Sequence, residues 1–92
     1  MNTAHHQLGI QIRNHRQLQK MTQLELALKL GYETPQFVSL FERGMSKIPL
    51  ETLGQLIVIL KIPEKKVLKV LIEGFAEETA EKLRMGKKQA RG

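Results

Sequence analysis

The sequence predicts an all-α domain of five helices, the last of them extended. Three observations carry this. Apolar residues recur at helical spacing and never in strand-like alternation. Helix start signals (Thr22, Thr34 before Pro35, Pro49, Pro63) and glycine stops (Gly31, Gly44) divide the chain into short segments. No internal repeat or low-complexity tract appears, so 92 residues make one small domain with a terminal extension.

The elements follow in order. Residues 1–7 are polar and expected to be flexible, with His5 and His6 a disordered pair. A first helix is predicted from Leu8 to about Lys20, with Leu8, Ile12 and His15/Leu18 on its inner side and Arg13 and Arg16 between them. Thr22 and Glu25 have the spacing of a capping box, with Met21 and Leu26 placed as a hydrophobic staple. The second helix therefore spans about Gln23 to Leu30, and Gly31 supplies a left-handed terminus. Thr34 as N-cap and Pro35 at the first helical position open a third helix that Gly44 ends. At about 100° per residue, Phe37, Val38 and Phe41 should face the core, with Pro35, Gln36, Ser39, Leu40 and Arg43 opposite. After a loop at 45–48, Pro49 opens a fourth helix with a stripe of Leu53, Leu56, Ile57 and Leu60. Pro63 restarts the chain, and Val67, Leu68, Leu71 and Ile72 mark a fifth helix. Phe75, Thr79 and Leu83 continue its stripe past Gly74 to about Met85. Residues 86–92, with Lys87, Lys88 and Arg91, resemble a basic, disordered tail. The resulting division is a flexible 1–7, a folded domain at 8–72, a helical extension at 73–85 available for dimerisation, and the tail.

Composition narrows the chemistry. A net charge of +6 suits a polyanionic partner. With no cysteine, disulfides, thiol catalysis and cysteine-ligated zinc are excluded. His5, His6 and His15 lack metal-ligand spacing, so neither metal nor cofactor is expected. There is no phosphate-cradling glycine loop or nucleophile elbow. Glu77, Glu78 and Glu81 alternate with Lys82 and Arg84 as on a solvated helix face. An enzyme is not expected. No segment reaches the ~18 apolar residues of a membrane span, and the polar N-terminus lacks a signal-peptide core, so the expected location is the cytoplasm.

The two short helices between 22 and 44 are joined by a turn too tight for antiparallel packing, a helix-turn-helix arrangement whose second rod can fit a major groove. Residues 8 to about 72 resemble the phage repressor and Cro-type (XRE-like) helix-turn-helix family. The resemblance rests on Leu8, Gly9, Ile12, Arg13, Arg16, Thr22, Gln23, Leu26, Ala27, Leu30, Gly31, Val38, Ser39, Glu42, Arg43, Gly44 and the run from Pro49 to Leu53. It implies a five-helix repressor-like domain acting as a homodimer on a near-palindromic operator in double-stranded DNA. It implies a structural pair between Arg16 and Glu42, a phosphate grip at Gln23, and base reading from the helix that begins near Thr34. On this alignment Thr34, Pro35, Gln36, Ser39 and Leu40 form the base-reading set. Gln36 can pair bidentately with adenine and Ser39 with a base edge or phosphate. Arg13, Lys20, Arg43 and Lys47 are further candidates for phosphate contacts. Ala27 is small where the third helix crosses the second.

Three features depart from the family pattern. The turn at 32–35 is one residue longer than in the simplest members, which shifts the register of base contacts. Leu40 stands where many relatives carry a polar reader; it can pack on thymine methyls or mark a protein-binding face. Leu24 and Leu28 fall one turn apart on the usually polar face of the second helix, and the run from Ile57 to Leu60 is apolar around more than one side. The expected function is a sequence-specific, DNA-binding transcription regulator. The alternative is an antitoxin-like or adaptor module that binds another protein through its apolar patches and C-terminal helix.

Overall fold

The computed structural model describes residues 3–92. Its five helices are α1 (Thr3–Leu18), α2 (Gln23–Lys29), α3 (Gln36–Glu42), α4 (Leu50–Leu60) and α5 (Glu64–Ala90), with no strand among the described residues. α1 is the central strut: it packs against α3, α4 and α5, while α2 leans on α3. Leu8 and Ile12 of α1 meet Leu26 and Ala27 of α2, Val38 and Phe41 of α3, Leu53, Leu56 and Leu60 of α4, and Val67 of α5 in one buried cluster. Ala27 is fully buried, as its small size requires where α2 and α3 pack together.

Local chemistry sets the helix ends that flank the turn. At the start of α2, the Glu25 amide donates to Thr22 Oγ1 (3.0 Å) and the Thr22 amide to Glu25 Oε1 (3.1 Å), a complete capping box. At its end Gly31 takes φ +88°, the Tyr32 amide donates to the Ala27 carbonyl (2.9 Å), and the Gly31 amide to Leu28 (3.1 Å). α3 closes in the same way: Gly44 has φ +68°, with amide bonds from Met45 to Leu40 and from Gly44 to Phe41. Both are Schellman motifs, which satisfy the last carbonyls and reverse the chain.

A buried carboxylate ties the first three helices together. Glu42 accepts from Arg16 Nε at 2.6 Å on one oxygen, and from Arg16 Nη2 and Gln23 Nε2, both at 3.1 Å, on the other. Arg16 also donates from Nη1 to the Met21 carbonyl (2.8 Å), pinning the chain between α1 and α2. The Glu42 side chain is 3 % exposed and that of Arg16 12 %, so the pair is desolvated and held in fork geometry. α1 lies close over this junction: a methyl built on Gly9 would sit 2.5 Å from the Phe41 and Glu42 carbonyl oxygens.

Several sequence expectations are corrected. α1 starts at Thr3, not Leu8, because Ala4 is buried and adds a turn to the core face; His5 and His6 are helical, while residues 1 and 2 of the expected flexible segment lie outside the described residues. Leu18 is exposed at the last position of α1, and the chain leaves the helix through Lys20 in a left-handed conformation. Pro35, not Thr34, is the N-cap of α3, and no side-chain hydrogen bond closes it. Phe37 does not enter the core; it is 46 % exposed. The basic tail is not irregular: α5 continues through Lys87 and Lys88 to Ala90, good helix formers with their positive charges near the negative end of the helix dipole. Past Gly74 the stripe of α5 lies outside the chain's core. Phe75 and Leu83 are exposed, and no residue after Gly74 is buried. α5 therefore projects, giving extents of 53 × 26 × 19 Å.

Three stability outcomes follow, the last with a control. Gly9→Ala should cost about 2–3 kcal/mol by forcing α1 off the α3 carbonyls. Gly54→Ala, at an exposed α4 position with open space around it, should add about 0.5–1 kcal/mol. Urea denaturation measures both, and equal effects would contradict the close approach at Gly9. Glu42→Ala should cost about 3–5 kcal/mol by leaving Arg16 buried and unpaired. The exposed Arg84–Glu81 pair is the control, and Glu81→Ala should leave the midpoint unchanged.

Candidate nucleic-acid interface

α3 is a seven-residue rod fixed along its inner side by Val38 (fully buried), Phe41 and Glu42. That anchoring decides what it displays. Taking Val38 as the inward direction and 100° per residue, Gln36, Leu40 and Arg43 point outward, with Ser39 on one flank and Phe37 on the other. Gln36 and Arg43 are exposed, and Ser39 and Leu40 half-buried. Thr34 and Pro35 are exposed in the turn that leads into α3. Four of the side chains singled out from the sequence, Gln36, Ser39, Leu40 and Arg43, thus lie on the outer side or flank of α3, and amide, hydroxyl and guanidinium groups are available there for hydrogen bonding to base edges.

The candidate phosphate-contacting residues divide into separate places. Arg13 on α1 and Arg43 at the end of α3 line one depression, together with His6, Asn14 and Gln17. Arg43 Nε donates weakly to the Ser39 carbonyl at 3.4 Å, which keeps its guanidinium along the α3 ridge. Lys20 is exposed between α1 and α2. Lys47 lies apart from Arg13 and Arg43. It is exposed in the loop before α4 and lines a different groove of about 640 Å³, shared with His5, Ile48, Leu71 and Phe75. Gln23 opens α2 with one amide N–H donated to Glu42, so its side chain is oriented by the Arg16–Glu42 pair and keeps one N–H for another acceptor.

Sequence reasoning missed Phe37 as a surface residue. Its ring stacks on Tyr32 with centroids 4.9 Å apart and planes 25° from parallel, and both rings tilt against buried Phe41. The signal was present in the composition of the lengthened turn, where Tyr32 brings a second aromatic ring to the base of α3. Also exposed are Leu24 and Leu28 on the outer face of α2 and Val58 on α4, as their places on those helices imply. Among the described residues no group of three His, Asp or Glu side chains converges to hold a metal ion, and no helix is long and apolar enough to cross a membrane.

Comparison with known proteins agrees with this geometry. A search of curated proteins gives no significant match. Among solved structures, the chain is similar to the clp gene regulator ClgR from Corynebacterium glutamicum. One crystal structure of that regulator superposes with a TM-score of 0.62 at 24 % identity, over 95 % of this chain and 88 % of that one. A second gives 0.62 at 29 % identity, over 79 % and 88 %. A helix-turn-helix family model matches residues 12–67, from the middle of α1 to the first turn of α5 and so across the whole α2–turn–α3 unit. The chain belongs to the helix-turn-helix family of DNA-binding transcription regulators.

Proposed function

We propose that the chain is a sequence-specific transcription regulator that binds an inverted-repeat operator as a homodimer, with α3 of each copy in the major groove. The observation that carries this is the ridge of α3: its inner side is locked by Val38, Phe41 and the Glu42 clamp, while Gln36, Leu40 and Arg43 are turned outward. A helix held this way can enter a groove without reorganising, and its side chains meet base edges in one register. Gln36 would read adenine, with Thr34, Pro35, Ser39 and Leu40 bordering the neighbouring pairs. Arg13, Lys20, Arg43, Lys47 and the remaining N–H of Gln23 would hold phosphates and set the position of α3. The net charge of +6 supplies salt-dependent attraction. The similarity to a regulator of clp genes supports the regulatory reading. A DNA-binding regulator of this kind would act in the cytoplasm.

The second copy would be held by α5. Leu68, Ile72, Phe75 and Leu83 are all exposed and fall within about 80° of one another around the helix, with Thr79 among them. Such a stripe on a projecting helix is largely exposed within its own chain, and two copies can bury it against each other. Reading such an operator requires the two α3 helices to lie about 34 Å apart, one turn of DNA. The alternative, an antitoxin-like or adaptor module, is favoured by Leu24 and Leu28, exposed one turn apart on α2. Exchanging both for lysine separates the readings: a DNA regulator keeps its operator affinity and its activity in cells, whereas an adaptor loses activity with DNA binding unchanged.

Gln36→Ala should weaken operator binding by about 1–3 kcal/mol and relax preference at one base pair, measured by titration on operator variants. An equal loss on operator and random DNA would argue against base reading. Light scattering during size-exclusion chromatography should give twice the monomer mass at micromolar concentration, and Leu83→Lys should return the monomer. A monomeric parent protein would remove the dimer.

A further inference from the structure

We infer that Phe37, with Leu40, is a specificity-determining residue that recognises the C5-methyl group of a pyrimidine in the major groove; this rests on α3 reading DNA. The ridge of α3 is divided lengthwise. Gln36, Ser39 and Arg43 form a polar half, while Phe37 and Leu40, three residues apart and so adjacent on the helix surface, form an apolar half. A phenyl ring 46 % exposed next to a hydrogen-bonding face would ordinarily fold back onto the core. Phe37 is kept from doing so. Tyr32, delivered by the lengthened turn, stacks on it at 4.9 Å, and Phe41 backs both rings with centroids 6.2 and 6.4 Å away. The Tyr32 and Phe41 rings together fill the space behind Phe37 and leave its outer surface exposed.

Base edges in the major groove offer one apolar feature, the pyrimidine C5-methyl group of thymine or of 5-methylcytosine. Hydrogen-bonding atoms opposite Phe37 would lose water without gaining a partner, whereas a methyl would leave water on contact. The extra residue in the turn and the departure at Leu40 then have one explanation. Together they turn half of the reading surface from hydrogen bonding to methyl recognition, beside the adenine that Gln36 would take.

The test replaces thymine by uracil, one position at a time, in an operator selected from random DNA; only the methyl is lost at each step. The native chain should bind roughly 3- to 10-fold more weakly at one position of each half-site. Phe37→Ala should change by less than about 2-fold at that position, whereas Phe37→Leu, which keeps an apolar side chain there, should retain an intermediate ratio. A folding defect in a variant weakens both DNAs by one factor and leaves the thymine-to-uracil ratio intact, so the ratio isolates the contact. Comparing cytosine with 5-methylcytosine at the same position assigns the source: an equal gain on methylation means that either methyl serves, and no gain means thymine alone. Indifference of the native chain to every methyl, or an undiminished ratio in Phe37→Ala, overturns the inference while leaving α3 a reader of DNA. Failure of the native chain to prefer any selected site over random DNA overturns the underlying reading as well.

Discussion

The buried carboxylate of Glu42 is the point on which the placement of α3 depends. It sits at the end of the helix that faces outward and receives three hydrogen bonds, two from α1 and one from α2. The Arg16 guanidinium that holds it also ties down the backbone before α2 through the Met21 carbonyl. α3 has only seven residues, too few for stability by itself, and its inner side offers just two fully apolar anchors, Val38 and Phe41. Those contacts fix its depth. The charged fork fixes its rotation, because a bidentate bond tolerates little turning. Such a pair adds less to stability than its Coulomb attraction suggests, since both ions lose water. Its effect is to single out one orientation of the helix.

Other features follow from keeping that junction compact. Gly9 lets α1 touch the last carbonyls of α3, and Gly44 turns the chain away directly beside His6. Ala27 lets α2 and α3 approach. α5 contributes Val67 and Val70 to the same core and then leaves it at Gly74, after which its apolar residues Phe75 and Leu83 are exposed. The molecule thus separates a rigid globular part from a projecting helix, matching the proposed division between DNA reading and pairing of copies.

Much of this was legible in the sequence because it depends on local chemistry. The capping box at Thr22 and Glu25 and the glycine stops at 31 and 44 are signals a few residues long, and each appears where expected. The Arg16–Glu42 pair spans 26 positions and was accessible only through resemblance to a family. Phe37 was misplaced because a helix of two turns gives periodicity too little length to fix its inward direction, and a residue about 100° from that direction can lie on either side of the boundary. What decides is Tyr32, whose ring occupies the space behind it. The extent of α5 was underestimated for a different reason. A run rich in lysine can form a helix as readily as a disordered tail, and hydropathy cannot distinguish the two.

We propose α3 as a base-reading helix presented in duplicate. Selection of bound sites from random double-stranded DNA by the purified chain tests it most directly. An inverted repeat should be enriched, with half-site centres about 10 base pairs apart and an A·T pair at a fixed place in each. Recovery of sequences with no shared motif would contradict it.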